Sequence, residues 1–175
     1  MVTAGHFILR PYVDTDAPHM SAAVRESAHT MGRWMDWAKA EFSDYDALCW
    51  FAHCHAARAS GSAHEFGIFT LAGQFIGGCG LNQFSTAHKF CNLGYWVRHT
   101  AQRQGAAVSA TLALRWLAFQ SLSMARVEIV VADGNAPSLG VARKAGATYE
   151  CLASNRLQLH GQPVQAHVFS FTSAT

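Results

Sequence analysis

The hydrophobic pattern changes period twice between residues 89 and 131, and this change limits the chain to few folds. Residues 89–97 are rich in aromatic and β-branched side chains, as in a strand. From Gly105 onward the apolar residues recur every three or four positions, as in a helix, at Val108, Leu112, Trp116 and Phe119. A second short β-rich run, residues 127–131, follows. The pattern predicts two parallel strands joined by a right-handed helical crossover.

The rest of the chain extends this strand-helix-strand unit on both sides. Strand patterns cover residues 7–12, 65–71, 74–84, 148–159 and 164–171, and helix patterns cover residues 17–28, 45–60 and 137–144. Asp14-Thr15-Asp16 and Ser43 are predicted to cap the first two helices, and Gly61 to end the second. No repeat or linker interrupts the order. We therefore expect one α/β domain over residues 1–175, with a mixed seven-stranded sheet flanked by helices.

Composition excludes several classes of function. The chain is 50% hydrophobic, but no apolar run reaches the roughly 18 residues of a membrane span, and its first residues do not resemble a signal peptide. A net charge of +2 is too small for a nucleic-acid-binding surface. Five irregularly spaced cysteines indicate free thiols in a reducing compartment. We expect a cytoplasmic protein that binds neither nucleic acid nor a membrane.

A turn with the sequence Gln102-Arg103-Gln104-Gly105-Ala106-Ala107 lies directly before the central helix. The first turn of a helix points unpaired backbone N–H groups outward, with about half a positive charge behind them. Small residues let an anion approach that backbone closely, and Arg103 adds a charged contact to a diphosphate. The spacing alone is equally consistent with a tight helix start that binds nothing.

The turn and its flanks resemble the GNAT superfamily of N-acetyltransferases, whose coenzyme A signature is Gln/Arg-x-x-Gly-x-Gly/Ala. Three positions match that signature, namely Gln102, Gly105 and Ala107. Gly94-Tyr95-Trp96-Val97 and Asn135-x-x-Ser138-x-x-Val141-x-x-Lys144-x-Gly146 resemble the RimJ/RimL-like branch, which acetylates the N-termini of ribosomal proteins. Trp34-Met35-Asp36-Trp37 is similar to a Trp-Leu-Pro-Trp segment of the same branch.

The resemblance implies that acetyl-CoA is the cosubstrate and that no metal takes part. The two parallel strands, ending near Val97 and Val131, would splay apart and admit coenzyme A between them. Its diphosphate would be held at the turn by Gln102, Arg103, Gln104, Gly105, Ala106 and Ala107. Val97 would pair its backbone with the pantetheine arm, and Asn135 and Ser138 would contact that arm from the neighbouring strand. The acceptor would be an amine, either a protein N-terminus or a small molecule, and a homodimer remains open.

The implied reaction is direct attack of a neutral amine on a thioester, which needs a base and an acid. The resemblance places Ser138 as the acid that protonates the leaving thiolate, and a serine bonding the start of its own helix is the alternative. The family often has a glutamate where this chain has Asn92, which cannot be a base but can orient a water. His88, Glu65 and Asp36 are the candidates for the base, and histidine has the most suitable unperturbed pKa.

At two positions this chain lacks a residue that often serves the family in catalysis, and this leaves a second function open. A tyrosine that often serves the family as general acid corresponds to Ala142, and Asn92 stands in place of the glutamate. An acyl-CoA-binding regulatory protein that has lost catalysis would show the same vacancies. Glu128 lies on the central strand and is interpreted as the structural partner of an arginine.

Two further groups of side chains are candidate sites. Trp34, Asp36 and Trp37 are the candidates for binding the acceptor, with core packing as the alternative for the two tryptophans. Cys49 and His53 share one face of a helix at i, i+4. Structural zinc sites draw a second ligand pair from another segment, and the sequence offers none, so we expect no metal.

Overall fold

The β-rich runs form an eight-stranded mixed sheet in a computed structural model that describes residues 2–173. The strands are β1 (Val2–Ala4), β2 (Phe7–Arg10), β3 (His64–Thr70), β4 (Phe75–Ser85), β5 (Phe90–Val97), β6 (Arg126–Ala132), β7 (Thr148–Leu159) and β8 (Gln162–Thr172). The helices are α1 (Ala17–Met31), α2 (Asp44–Ser60), α3 (Ala106–Gln120) and α4 (Ala136–Lys144). None of the helices in this part of the chain is long and apolar enough to cross a bilayer.

The strand order across the sheet is β1-β2-β3-β4-β5-β6-β8-β7. Among the strands of residues 2–173 only β5 and β6 run parallel, which confirms the predicted parallel pair joined through α3. The count of seven strands was wrong by one, because β1 has only three residues and cannot show a period. It pairs with β2 through a tight hairpin at Gly5, whose φ of +59° suits glycine.

The parallel pair comes apart after three residue pairs. β5 and β6 pair only at Phe90–Arg126, Cys91–Val127 and Asn92–Glu128. β5 then continues to Val97 beside β4, while β6 continues to Ala132 beside β8. The backbone edges of the two strands therefore face a gap between them, and an unpaired strand edge can accept an added extended chain.

Two hydrophobic cores hold the helices on the sheet. α3 and α4 bury small side chains, among them Ala110 and Ala142, against one face. α1 and α2 bury Met20 and Phe51 against the other, together with Trp96 from β5. Because the side chains of a strand alternate between faces, β5 sends Leu93 into the first core and Trp96 into the second.

The caps of the first two helices differ from each other. Ser43 caps α2 in a capping box with Asp46, and Gly61 ends that helix with a φ of +73°, as predicted. Asp16 does not cap α1 with its side chain. Its carboxylate instead accepts hydrogen bonds from Nη1 and Nη2 of Arg10, both at 2.7 Å. Desolvation raises the pKa of Asp16, but these hydrogen bonds and the one from the Val13 N–H outweigh it, so the pKa is lowered.

Candidate active site

The start of α3 presents a row of free backbone donors. The N–H groups of residues 105–108 donate to no acceptor within residues 2–173, and no side chain caps the helix. Gly105 has a φ of +87°, and a Cβ built on it would meet nothing within 4 Å. An open surface of unpaired donors with the positive end of a helix dipole behind it suits a phosphate group.

Two residues of α1, Glu26 and Ser27, hold the segment that leads into this turn. The Glu26 carboxylate forms an ion pair with Arg98 and accepts hydrogen bonds from the N–H (2.9 Å) and hydroxyl (2.7 Å) of Thr100. Ser27 accepts the N–H of His99 at 2.9 Å. The Arg98 guanidinium is the main reason that the pKa of Glu26 falls to about 2. Gln102 donates its side-chain amide to the Val97 carbonyl at 3.3 Å, which ties the turn to the end of β5.

Replacing Glu26 with glutamine is expected to lower the free energy of unfolding by about 1–2 kcal/mol at pH 7, the range of a partly exposed charged hydrogen-bond partner. The pKa of Glu26 is lowered from 4.5 to about 2 in the fold, so its contribution is present above pH 4.5 and is lost as the pH falls towards 2. Urea unfolding at pH 7 and pH 2.5 measures it. An equal difference at both pH values would contradict the ionic origin.

A hydrogen-bonded bridge joins β5 to α4. The Tyr95 hydroxyl lies 3.0 Å from Ser138 Oγ and donates to the Ser138 carbonyl at 3.1 Å. Asn135 Oδ1 accepts the Ser138 N–H at 3.3 Å and so caps α4. The Ser138 hydroxyl is therefore not used to cap its own helix. Burial raises the pKa of Tyr95 to about 12, which keeps its hydroxyl protonated.

A cavity of about 560 Å³ lies on the opposite face of the sheet, between β3, β4 and β5 and the helices α1 and α2. Its walls are largely aromatic, formed by Tyr12, Trp37, Phe42, Trp50 and Trp96. Trp37 and Cys49 line it and are also exposed to solvent, so the cavity opens to the surface beside them. Its volume falls in the range of about 300–1,000 Å³ typical of ligand pockets.

Glycines on β4 make room for this cavity. A Cβ on Gly78 would lie 2.6 Å from both the Tyr12 hydroxyl and the Trp96 indole nitrogen. A Cβ on Gly80 would overlap the carboxylate of Glu65, which crosses over that glycine from β3. Gly78 and Gly80 are thus explained by neighbouring side chains that lie across the strand, and Gly77 by the backbone of Trp96, which a Cβ would overlap.

Asn92 belongs to a chain of three polar side chains at the cavity. Asn92 Nδ2 donates to Asn82 Oδ1 at 3.0 Å, and Asn82 Nδ2 donates to Glu65 Oε1 at 3.1 Å. Asn82 and Glu65 line the cavity. Burial raises the pKa of Glu65. Asn92 stands where the family that this chain resembles often has a glutamate. Through the side-chain amide of Asn82 it is linked to Glu65, two strands away.

The remaining predicted residues lie elsewhere. His88 is exposed on the turn between β4 and β5 and does not line the cavity. The Asp36 carboxylate accepts the backbone N–H of His160 at 3.0 Å, which fastens it to the turn between β7 and β8. Trp34 packs beside Gly134. Of the three residues expected to bind the acceptor, only Trp37 lines the cavity, and the roles of the others stay predictions.

Two further expectations concern ion pairs and metals. Glu128 pairs with Arg126 and Arg156, as expected for a structural carboxylate. Cys49 and His53 both line the cavity. Within residues 2–173 no group of three or more histidine, cysteine or acidic side chains is placed to hold a metal ion.

Sequence reasoning missed Tyr95 and Asn82 as site residues. Tyr95 was noted only as part of a family segment, and its partner lies 43 residues further along the chain. Asn82 carries no motif of its own. The signal that was available is that Asn82 is the first polar residue of β4, after seven glycine and apolar residues.

Comparisons with known proteins agree with this architecture. Residues 6–148 match the family described as "Acetyltransferase (GNAT) domain". The chain is 24% identical over 157 residues to the "Putative ribosomal N-acetyltransferase YdaF" of Bacillus subtilis (strain 168), covering 89% of this chain and 85% of that protein.

Two solved structures show the same fold over nearly the whole chain. A "putative ribosomal-protein-serine acetyltransferase" from Vibrio cholerae is 30% identical with a TM-score of 0.87, covering 98% of this chain and 97% of the other. RimJ of Mycobacterium smegmatis, in complex with CoA-disulfide, is 24% identical with a TM-score of 0.88, covering 98% of this chain and 84% of the other. None of these matches favours a binding protein without catalysis.

Proposed function

This chain belongs to the GNAT family of acetyltransferases, and from that premise we propose that it transfers the acetyl group of acetyl-CoA to the N-terminal amine of a protein. The observation that carries the proposal is the junction of two features. Beyond the point where it separates from β6, β5 lines the cavity with Gly94, Tyr95 and Trp96, and it ends just before the turn with the free N–H groups at the start of α3. Acetyl-CoA and the amine acceptor can therefore approach from opposite faces of the sheet.

The residues of the turn fit the diphosphate of coenzyme A. The N–H groups of Gly105, Ala106 and Ala107 supply unpaired donors, and Arg103 and the helix dipole supply positive charge. Gln102 and Gln104 shape the turn. Val97 ends β5 at the gap, where its backbone edge can receive the pantetheine arm as an added strand, and Asn135 borders that arm from α4. Bound acetyl-CoA supplies the thioester that the amine attacks.

Ser138 is the proposed acid. Its hydroxyl does not cap α4, because the Asn135 side chain does so. The hydroxyl lies on the α4 side of the gap. Tyr95 fixes the position of the hydroxyl from β5. Ser138 Oγ then holds the proton that the departing thiolate needs. The raised pKa of Tyr95 keeps that residue a proton donor rather than a charged neighbour.

The cavity is the proposed acceptor site. Its opening at Trp37 and Cys49 lets a polypeptide enter with its first residue, while the aromatic walls enclose that residue. Names of similar proteins support a protein acceptor, since YdaF is described as a "Putative ribosomal N-acetyltransferase" and the protein from Vibrio cholerae as a "putative ribosomal-protein-serine acetyltransferase". A cytoplasmic location follows for such an acceptor and suits the free thiols.

Release of coenzyme A thiol tests the proposal. The protein is incubated with acetyl-CoA and with peptides that carry free N-termini of different first residues, and with small amines. We expect turnover with free peptides and none with the same peptides blocked at the N-terminus. Turnover that is faster with small amines than with every peptide would contradict a protein acceptor, and the blocked peptides control for acetylation of side chains.

A further inference from the structure

The Glu65 carboxylate has one engaged oxygen and one free oxygen. Oε1 accepts from Asn82, whereas Oε2 has no hydrogen-bond partner within residues 2–173. Gly80 lies directly beneath Oε2, and any side chain there would overlap it. The carboxylate is thus held at one oxygen and accepts no hydrogen bond at the other. Glu65 also lines the cavity, so it combines a free oxygen with a place at the cavity wall, as a proton acceptor requires.

Within residues 2–173 no basic side chain forms an ion pair with this carboxylate. Arg58 on α2 donates to the Glu65 backbone carbonyl at 2.6 Å and stacks on Phe66, so its guanidinium is engaged elsewhere. The other titratable groups that face Glu65 are His53 and Cys54 on α2, Cys79 on β4, and Tyr12, with Arg58 and His53 stabilising its charge from a distance. His64 precedes it on the same strand. Burial outweighs these charges and raises the pKa of Glu65.

We propose that Glu65 is the general base of the acetyl transfer and that Asn82 and Asn92 are the residues that position it. This inference rests on the proposed function, because it concerns the same cavity and the same amine. Asn92 stands where the resemblance expected a glutamate, and its amide reaches the base through Asn82 across the β4–β5 register.

The reaction balances with the groups at hand. The nitrogen–carbon bond of the amide forms as the carbon–sulfur bond of the thioester breaks. The proton of the attacking amine goes to Glu65 Oε2, and the thiolate takes the proton of Ser138 Oγ. Solvent carries the proton away from Glu65 and returns one to Ser138, so no further reactant is required. A raised pKa suits Glu65 to this exchange near neutral pH.

The competing candidates are less well placed. His88 lies on an exposed turn outside the cavity, and the Asp36 carboxylate is occupied by His160. His53 lines the cavity, but its ring is stacked on Trp50 at a centroid distance of 5.5 Å. Glu65 therefore has the free oxygen, the access to the cavity and the fixed geometry together.

Glu65→Gln tests the base directly. Glutamine keeps the shape and can still accept from Asn82, so the fold and coenzyme A affinity should be unchanged. We expect turnover at pH 7 to fall by about 100-fold or more, the usual contribution of a general base. The deficit should shrink as the pH rises above about 8, where a free α-amine loses its own proton. Glu41→Gln, an exposed carboxylate outside the cavity, serves as the matched control.

The outcomes separate this inference from the proposed acceptor. A deficit of less than threefold, or one that is equal at all pH values, would overturn Glu65 as the base. If the wild-type protein acetylates small amines and no peptide, the acceptor proposal fails, and the same comparison with the small amine still decides the role of Glu65. A wild-type protein that turns over no amine would overturn both.

Asn82→Ala tests the positioning role through a pH profile. The hydrogen bond from Asn82 lowers the pKa of Glu65, so its removal should raise that pKa and move the acid limb of kcat/KM to higher pH. Asn92→Ala should move it in the same direction by less, because it acts through Asn82. An acid limb that stays in place in both variants would show that the two amides only support the fold.

Discussion

Gly105→Asp is expected to weaken coenzyme A binding by at least about 100-fold while the protein stays folded. Gly105 has a φ of +87°, a conformation that aspartate tolerates better than most side chains, and its Cβ would meet nothing within 4 Å. The new carboxylate would lie among the free N–H groups at the start of α3, where it accepts their hydrogen bonds itself. Repulsion between close charges of about 1–4 kcal/mol adds to the loss.

Isothermal titration with coenzyme A measures the effect, and thermal unfolding checks the fold. Gly61→Asp is the matched control, since Gly61 also has a positive φ (+73°) and open space around its Cβ, but it ends α2. A carboxylate at a helix C-terminus opposes the helix dipole by about 0.3–1 kcal/mol, so the control should be the less stable variant. Wild-type affinity in Gly105→Asp would remove the turn from the cofactor site.

The order of the helices and strands could be predicted from the sequence because each of them has a local sequence signal. Period, caps and turn residues located the four α-helices and seven of the eight strands found in residues 2–173. The change of period around α3 also gave the one parallel pair. Local signals could not predict where that pair separates. The separation after Asn92 depends on the pairing of β5 with β4 and of β6 with β8, which involves distant parts of the chain.

The cofactor half and the acceptor half of the proposed site also differ in how far the sequence can predict them. The free donors of residues 105–108 belong to one continuous segment, so a motif can reveal them. The proposed base and its supports come from three strands, at Glu65, Asn82 and Asn92, and meet only through the sheet register. Asn92 looked like the loss of a catalytic group when it was considered alone. Its contact with Asn82 makes it part of the geometry around Glu65.

Ser138→Ala is expected to lower turnover by about 100-fold, the size of a general-acid contribution, without weakening coenzyme A binding. Asn135 still caps α4 in this variant, and Tyr95 keeps its hydrogen bond to the Ser138 carbonyl, so only about 1 kcal/mol of stability should be lost. Ser138→Thr retains a hydroxyl and should keep more activity than alanine. Equal losses in the two variants would argue for a packing defect rather than a missing proton.

Tyr95→Phe separates positioning from direct catalysis. Phenylalanine keeps the ring, but Ser138 Oγ loses its partner at 3.0 Å, so turnover should fall by about tenfold. If Tyr95 acts only through Ser138, the double variant Tyr95→Phe/Ser138→Ala should be no slower than Ser138→Ala alone, because residues that act as a unit are not additive. Initial rates of the four proteins at saturating substrates complete this cycle. A further loss in the double variant would show that the Tyr95 hydroxyl has its own role in the transfer.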